Sequence, residues 1–362
     1  MKSILLNKVY RILKRKCDAF IGSLCSLEKT LDMMSLRPYL LHLELTNLCN
    51  AKCIFCPYQF QERKIEFMSD EVFYKSVKDY CDIGGGSVEL TPIVGESLID
   101  PKFLSRVKYL RSQPNIDRIH LTTNAILLDK VGIEEMLDSG LTSITISTAG
   151  FEKDMYRRVY QSSSYDKMKN NVFSLLESNS RKKNPVYITL ALRSDRPLNE
   201  VLKDEDFKPI LKFNPNIDFT WSYTTANGRI TSEIVPKTMK LRVLEPHNKP
   251  CVQMFDGPIV LPDGTVMACS CVAAMDAVQD LGIGNILEAG LIDIWTNKKM
   301  KDLRAGFGTA ALNKTCAGCD MYREPELYKT FEGRKIARIN KERFNGKTVF
   351  RNDKPSEPFP LG

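Results

Sequence analysis

The chain has 362 residues, a formal net charge of +8, 43% hydrophobic residues and 27% charged residues. That make-up belongs to a globular protein with room for one large domain and a smaller one, and it excludes a disordered or fibrous chain. No apolar run reaches the roughly 18–20 residues of a membrane span, and 11 cysteines with no export-type leader ahead of them point to metal or redox use in the cytoplasm rather than a disulfide framework.

The first 37 residues read as a basic amphipathic segment. Ile4, Leu5, Val9, Ile12 and Leu13 recur at helical spacing, and Lys2, Lys8, Arg11, Lys14, Arg15 and Lys16 cover much of the remaining surface. Such a helix packs on a main domain or makes peripheral contact with an anionic membrane. From 38 to 245 an alternation follows. Strand-like runs stand at 40–46, 87–93, 118–123, 143–148, 186–192 and 217–223, with helical patterns at 69–81, 101–112, 129–140 and 164–178 between them. Ser69 suits an N-cap and Gly140 a helix stop. Strand then helix, repeated, predicts parallel βα units, either a partial (β/α)6 barrel or an open doubly wound sheet.

The strands alternate where strands covered on both faces should be uniformly apolar. Leu41 and Leu43 oppose His42 and Glu44; Val88 and Leu90 oppose Glu89 and Thr91; Ile119 and Leu121 oppose His120 and Thr122. Ile144 and Ile146 oppose Thr145 and Ser147; Ile188 and Leu190 oppose Thr189; Phe219 and Trp221 oppose Thr220 and Ser222. The apolar faces are expected to meet the helices. The polar faces then line a lumen that holds something polar, unlike the Val/Ile/Leu-filled interior of a closed barrel. Glu44, Glu89 and His120 either face a substrate there or satisfy one another.

Residues 246–335 change character. "IVLPDGTVMA" is two β-runs around Asp263-Gly264, a hairpin signal, and Cys251, Cys269, Cys316 and Cys319 fall in the same stretch. Four thiols in a small α+β unit fit zinc or an iron–sulfur cluster, and spacing alone leaves both open. Residues 336–362 read as a charged tail.

The second thiol group is more pointed. Cys49, Cys53 and Cys56 form a C-x3-C-x2-C loop directly after the first strand. Structural zinc takes four ligands in closed coordination, and only His42 is near enough in sequence to be a fourth. An iron–sulfur cluster held by three thiolates keeps one iron without a protein ligand, and open metal positions are where chemistry occurs.

"CNAKCIFCPY" after a first strand resembles the cluster loop of the radical S-adenosylmethionine (radical SAM) enzymes, and the resemblance runs over about 38–335. It implies a partial (β/α)6 TIM-like barrel, a SAM-binding 4Fe-4S cluster on Cys49, Cys53 and Cys56, and cleavage of SAM to a 5′-deoxyadenosyl radical. It assigns Phe55, Gly95, Glu96, Asn124, Ser147 and Arg193 to SAM contacts, although Ile93-Val94 replace the family's glycine-rich lead. The later cysteines resemble a twitch/SPASM-like auxiliary domain, whose second 4Fe-4S cluster would sit on Cys251, Cys269, Cys316 and Cys319, with Cys271 as the alternative to Cys269. It also implies an external one-electron reductant such as flavodoxin or ferredoxin.

The function expected on this basis is oxidation of a polar sugar- or aminocyclitol-like small molecule, with the auxiliary cluster accepting an electron. Peptide modification is the alternative, although the stretch ahead of the barrel is short for a peptide-binding domain. Epimerisation is another, with Cys81 or Cys271 as hydrogen donor. Scattered basic residues and no RNA-binding module argue against a nucleic-acid partner.

Overall fold

The computed structural model describes residues 26–325 and 331–345. The expected N-terminal helix over the basic stretch lies outside them.

Six strands, β1 (Leu40–Leu43), β2 (Gly86–Leu90), β3 (Ile116–Thr123), β4 (Ser143–Thr148), β5 (Tyr187–Leu192) and β6 (Asn216–Phe219), lie side by side in chain order. All five pairings are parallel. This is the βα succession read from the sequence, and the sequential order rules out the strand reversal of a doubly wound sheet. Leu41, Leu43, Val88, Leu90, Ile119, Leu121, Ile144, Ile146 and Leu190 are fully buried. Hydrogen bonds join the polar faces across strands: Thr91 Oγ1 to Thr122 Oγ1 at 3.0 Å, His120 Nδ1 to Ser143 Oγ at 2.8 Å, and Asn216 Nδ2 to Thr189 Oγ1 at 3.1 Å.

The helices Asp70–Asp82, Phe103–Ser112 and Tyr165–Ser180 fall where apolar periodicity put them. Ser69 caps the first, its side chain accepting from Val72 N. The pattern at 129–140 divides into Leu128–Val131 and Ile133–Leu137 because Gly132 takes φ +97°, a left-handed conformation inside what periodicity reads as one helix.

Three features depart from expectation. The sixth strand stops at Phe219; β7 (Ser222–Tyr223) pairs with β8 (Lys240–Leu241) in a separate sheet, and Trp221 is 63% exposed rather than packed on a helix. The region after 246 is no detached unit. Its hairpin, β9 (Ile259–Val260) and β10 (Thr265–Met267), turns at Asp263-Gly264 as expected, and β9 pairs in parallel with β1, while β11 (Gly282–Asn285) completes one nine-stranded sheet. The charged tail begins as the helix Phe331–Phe344, which packs against Leu27–Ser35; Arg37 Nη1 donates to Asn340 Oδ1 at 2.8 Å, and both residues are fully buried.

Candidate functional site: two thiol groups on one polar lumen

Residues 46–68 leave β1 and return to it. Thr46 Oγ1 donates to Glu66 O at 2.8 Å, Asn47 Nδ2 to Lys64 O at 2.8 Å, and Met68 N to Leu45 O at 2.8 Å. Glu44 sits at the base of this loop. It accepts from Arg63 Nη1 at 2.5 Å and Nη2 at 3.1 Å, and from Ile93 N at 3.0 Å. Glu44 is therefore satisfied internally and does not face a substrate: it joins the cluster loop to the loop after β2.

Cys49, Cys53 and Cys56 stand partly exposed on this loop. Cys56 N donates to Cys53 O at 3.0 Å, and Ile54 N to Val159 O at 2.9 Å, which ties the loop to the helix Lys153–Tyr160. Burial pushes the Cys49 thiol up to about 12, with the Glu96 and Cys56 charges adding to it. Burial raises Cys53 too, and Cys56 and Cys49 raise it further. Ionised thiols packed this way repel one another until a cation lies among them. Among the described residues no three His, Cys, Asp or Glu side chains converge as ligands of a single metal ion would. Three cysteine thiols on one short loop are the donor chemistry of an iron–sulfur cluster. His42 is no fourth ligand; its Nε2 meets Ser270 Oγ at 3.2 Å.

The six expected SAM-contact residues gather around this loop. Gly95 has φ +136°, and a Cβ there would lie 2.5 Å from Thr46 O, so only glycine lets this loop pass β1. Glu96 is buried and its carboxylate is engaged, accepting from Asn124 N at 2.8 Å and Leu98 N at 3.2 Å. Burial lifts its pKa to about 7. Asn124 Nδ2 donates to Asn50 Oδ1 at 2.6 Å, closing the network back onto the cysteine loop. Phe55 packs edge-on to Tyr160 at 5.4 Å, with the Arg193 guanidinium 5.7 Å from its ring. Arg193 Nη1 donates to Thr220 Oγ1 at 2.7 Å, and Ser147 Oγ lies 2.8 Å from Tyr160 Oη. Sequence reading missed Tyr160, Tyr223 and Asn50. Met155, Tyr156, Val159 and Tyr160 do trace one helical face, and that was the available signal for Tyr160.

The second thiol group is more enclosed: Cys251, Cys269 and Cys316 are buried, and Cys271 and Cys319 partly so. Burial pushes Cys251 up to about 11 and Cys316 up to about 12, and Cys271 raises each of them further. Cys319 is raised by burial and then by Cys271, Cys251 and Cys316. Cys271 N donates to Cys269 Sγ at 3.4 Å. Five thiols thus meet where the sequence reading assigned four ligands. The stretch after β7 braces them, since Asp320 accepts from Thr225 N at 2.6 Å and Asn227 Nδ2 donates to Thr315 O at 3.2 Å.

The auxiliary thiol loop touches the polar face of β1. Ser270, between Cys269 and Cys271, reaches His42 on β1, whose cross-strand neighbour is Glu89. Cys81, by contrast, lies at the end of the outer helix Asp70–Asp82, where its carbonyl accepts from Asn115 Nδ2 at 3.1 Å.

Comparisons with known proteins agree with this geometry. The model of the Radical SAM superfamily matches residues 43–204, and that of the SPASM iron-sulfur cluster-binding domain matches 251–320. GTP 3',8-cyclase from Clostridium perfringens (strain SM101 / Type A) is 31% identical over 166 residues, covering 45% of this chain and 49% of that protein. The chain thus spans about half the length of the curated relatives it matches. Streptococcus suis SuiB bound to its precursor peptide SuiA superposes with a TM-score of 0.57 at 15% identity, covering 79% of this chain and 70% of that one. BtrN in complex with AdoMet and 2-DOIA gives 0.50 at 17% identity, covering 78% and 92%. At these identities the likeness is one of fold. The chain belongs to the radical SAM superfamily and carries a C-terminal SPASM-type iron–sulfur domain, and its cofactors are S-adenosylmethionine and 4Fe-4S clusters.

Proposed function

We propose that this chain oxidises a polar, sugar- or aminocyclitol-like small molecule bound in the barrel lumen. One observation carries the reading: the polar face of the barrel strands meets the auxiliary thiol loop directly, through Ser270 and His42. In this reading Cys49, Cys53 and Cys56 hold the SAM-binding cluster, and Cys251, Cys269, Cys316 and Cys319 hold the auxiliary one. When bound, SAM and the first cluster supply a 5′-deoxyadenosyl radical, and the auxiliary cluster supplies an electron acceptor. Phe55 and Tyr160, packed edge to face, and the Arg193 guanidinium beside the Phe55 ring form a cationic–aromatic wall suited to adenosine, and Ser147 positions Tyr160. Glu96 holds Asn124, whose amide donates to the Asn50 side chain next to Cys49, and Gly95 lets the second loop approach the cysteine loop. The first electron comes from an external reductant, as the family requires.

Epimerisation has less support. It needs a thiol hydrogen donor in the lumen, whereas Cys81 lies outside the barrel wall and Cys271 lies against Cys269. Anaerobic reconstitution with iron and sulfide tests the main reading. Reduced protein with SAM should form 5′-deoxyadenosine. Cys316→Ala should retain that cleavage and lose net oxidation across a panel of cyclitols and aminocyclitols. Oxidised product persisting in Cys316→Ala removes the electron-acceptor role.

A further inference from the structure

His42, Glu89 and His120 stand in one register row on adjacent strands, β1, β2 and β3. All three side chains share the polar face. Glu89 and His120 retain 10% and 9% of their side-chain surface, so the row is not fully sealed. Its hydrogen-bonding capacity is incomplete. His42 Nδ1 is buried and has no partner. The Glu89 carboxylate meets no hydrogen-bond donor among the described residues, and His120 Nε2 stands 3.9 Å from it. Burial holds His42 near 4 and His120 near 3, so both imidazoles are neutral at physiological pH. Besides His42, Arg118 on β3 is the group whose charge reaches Glu89, and its Nη2 donates instead to Ser143 Oγ at 3.3 Å.

A buried carboxylate without a bonded donor is costly, and so is an unpaired imidazole nitrogen. Glu44 shows how this protein satisfies such a group when structure alone is at stake: a two-bond pair with Arg63 and a backbone amide. Glu89 has neither. A ligand ammonium supplies the missing cation and donors. Of the flanking neutral imidazoles, His42 keeps Nδ1 for a ligand hydroxyl, whereas His120 is held by Ser143 Oγ at Nδ1 and by Thr122 Oγ1 at 3.3 Å from Nε2, which fixes the ring beside Glu89. Ser270 closes the floor beside His42, with Gln253 Oε1 accepting from its hydroxyl at 3.3 Å.

We propose that His42, Glu89 and His120 are the substrate-recognition row, with Glu89 taking the amino group of a small polyhydroxylated amine, His42 Nδ1 one of its hydroxyls, and His120 holding its place beside Glu89. This rests on the oxidation reading above and narrows it from polar compounds to cationic ones.

Calorimetric binding to the anaerobically reconstituted, SAM-loaded full chain tests it, with 2-deoxystreptamine as the aminocyclitol probe and myo-inositol as the uncharged one. The amine should bind at least about tenfold more tightly than inositol, and Glu89→Gln should remove that difference. Equal affinities in the unaltered protein, or no binding of either probe at millimolar concentration, overturn the assignment without recourse to a variant. Unchanged amine affinity in Glu89→Gln, with iron content and circular dichroism matching the parent, overturns it as well. Because calorimetry reads binding and not turnover, amine binding without oxidised product would leave the recognition row standing and remove the oxidation reading.

Discussion

The two thiol groups of this protein answer opposite demands. Cys49, Cys53 and Cys56 sit on a partly exposed loop held by polar bonds, from Glu44–Arg63, Asn47–Lys64 and Asn124–Asn50. Cys251, Cys269 and Cys316 are buried and belong to the continuous hydrophobic core. The first group has three thiols beside a polar lumen, and the second has five within an enclosed pocket. A loop that must admit a polar ligand cannot be covered by apolar packing, so directional hydrogen bonds fix its shape. A site that admits no ligand, the role proposed for the second group, has no such need, and packing suffices.

The contrast can be broken first at the open site. Cys53→Ala should lower 5′-deoxyadenosine formation by about a thousandfold or more, the scale on which removing an essential group acts, and reconstituted iron should fall by about half in a two-cluster protein. Full cleavage activity in that variant would dissolve the distinction between the groups. Next is the polar anchoring. Glu44→Ala leaves the half-buried Arg63 without its carboxylate and two backbone amides without their acceptor, and denaturant unfolding should show a loss of about 3–5 kcal/mol. A loss under about 1 kcal/mol would mean that the loop is held by something else.

At the enclosed site the comparison sharpens to a choice between neighbours. Cys269→Ala should cost about four iron per chain, whereas Cys271→Ala should keep them and change only the auxiliary cluster's electron paramagnetic resonance signal, because the Cys271 thiol lies against the Cys269 thiol. The reverse pattern of iron loss would make Cys271 the ligand. The smallest expected effect is on pH dependence. His42 and His120 titrate lower when folded than in the unfolded chain, where histidine lies near about 6.5. Their contribution is complete above that value and is lost as pH falls toward 4, since only the unfolded chain then takes up the protons. Glu89, raised by burial, works in the opposite direction. His42→Gln should therefore flatten the acid limb of the thermal-midpoint curve relative to the parent, and an unchanged limb would show that the row is not buried as described.

Local chemistry made much of this readable in advance. The period-2 alternation along β1 to β5 marked which face is polar, because a strand's two faces are fixed by its backbone. Asp263-Gly264 gave the hairpin through turn chemistry, and the spacing of Cys49, Cys53 and Cys56 gave an open three-thiol loop. Where prediction and structure part, long-range contacts decide. That β9 extends the barrel sheet at β1 depends on pairing across more than 200 residues, to which no local signal points. The same holds for the helix Phe331–Phe344 closing onto Leu27–Ser35. The three polar strand residues that sequence grouped together, Glu44, Glu89 and His120, carry the same alternation signal, yet Glu44 meets Arg63 while Glu89 meets no donor. A carboxylate's role depends on which donors the fold brings within about 3 Å of it, and that distance is set by tertiary packing alone.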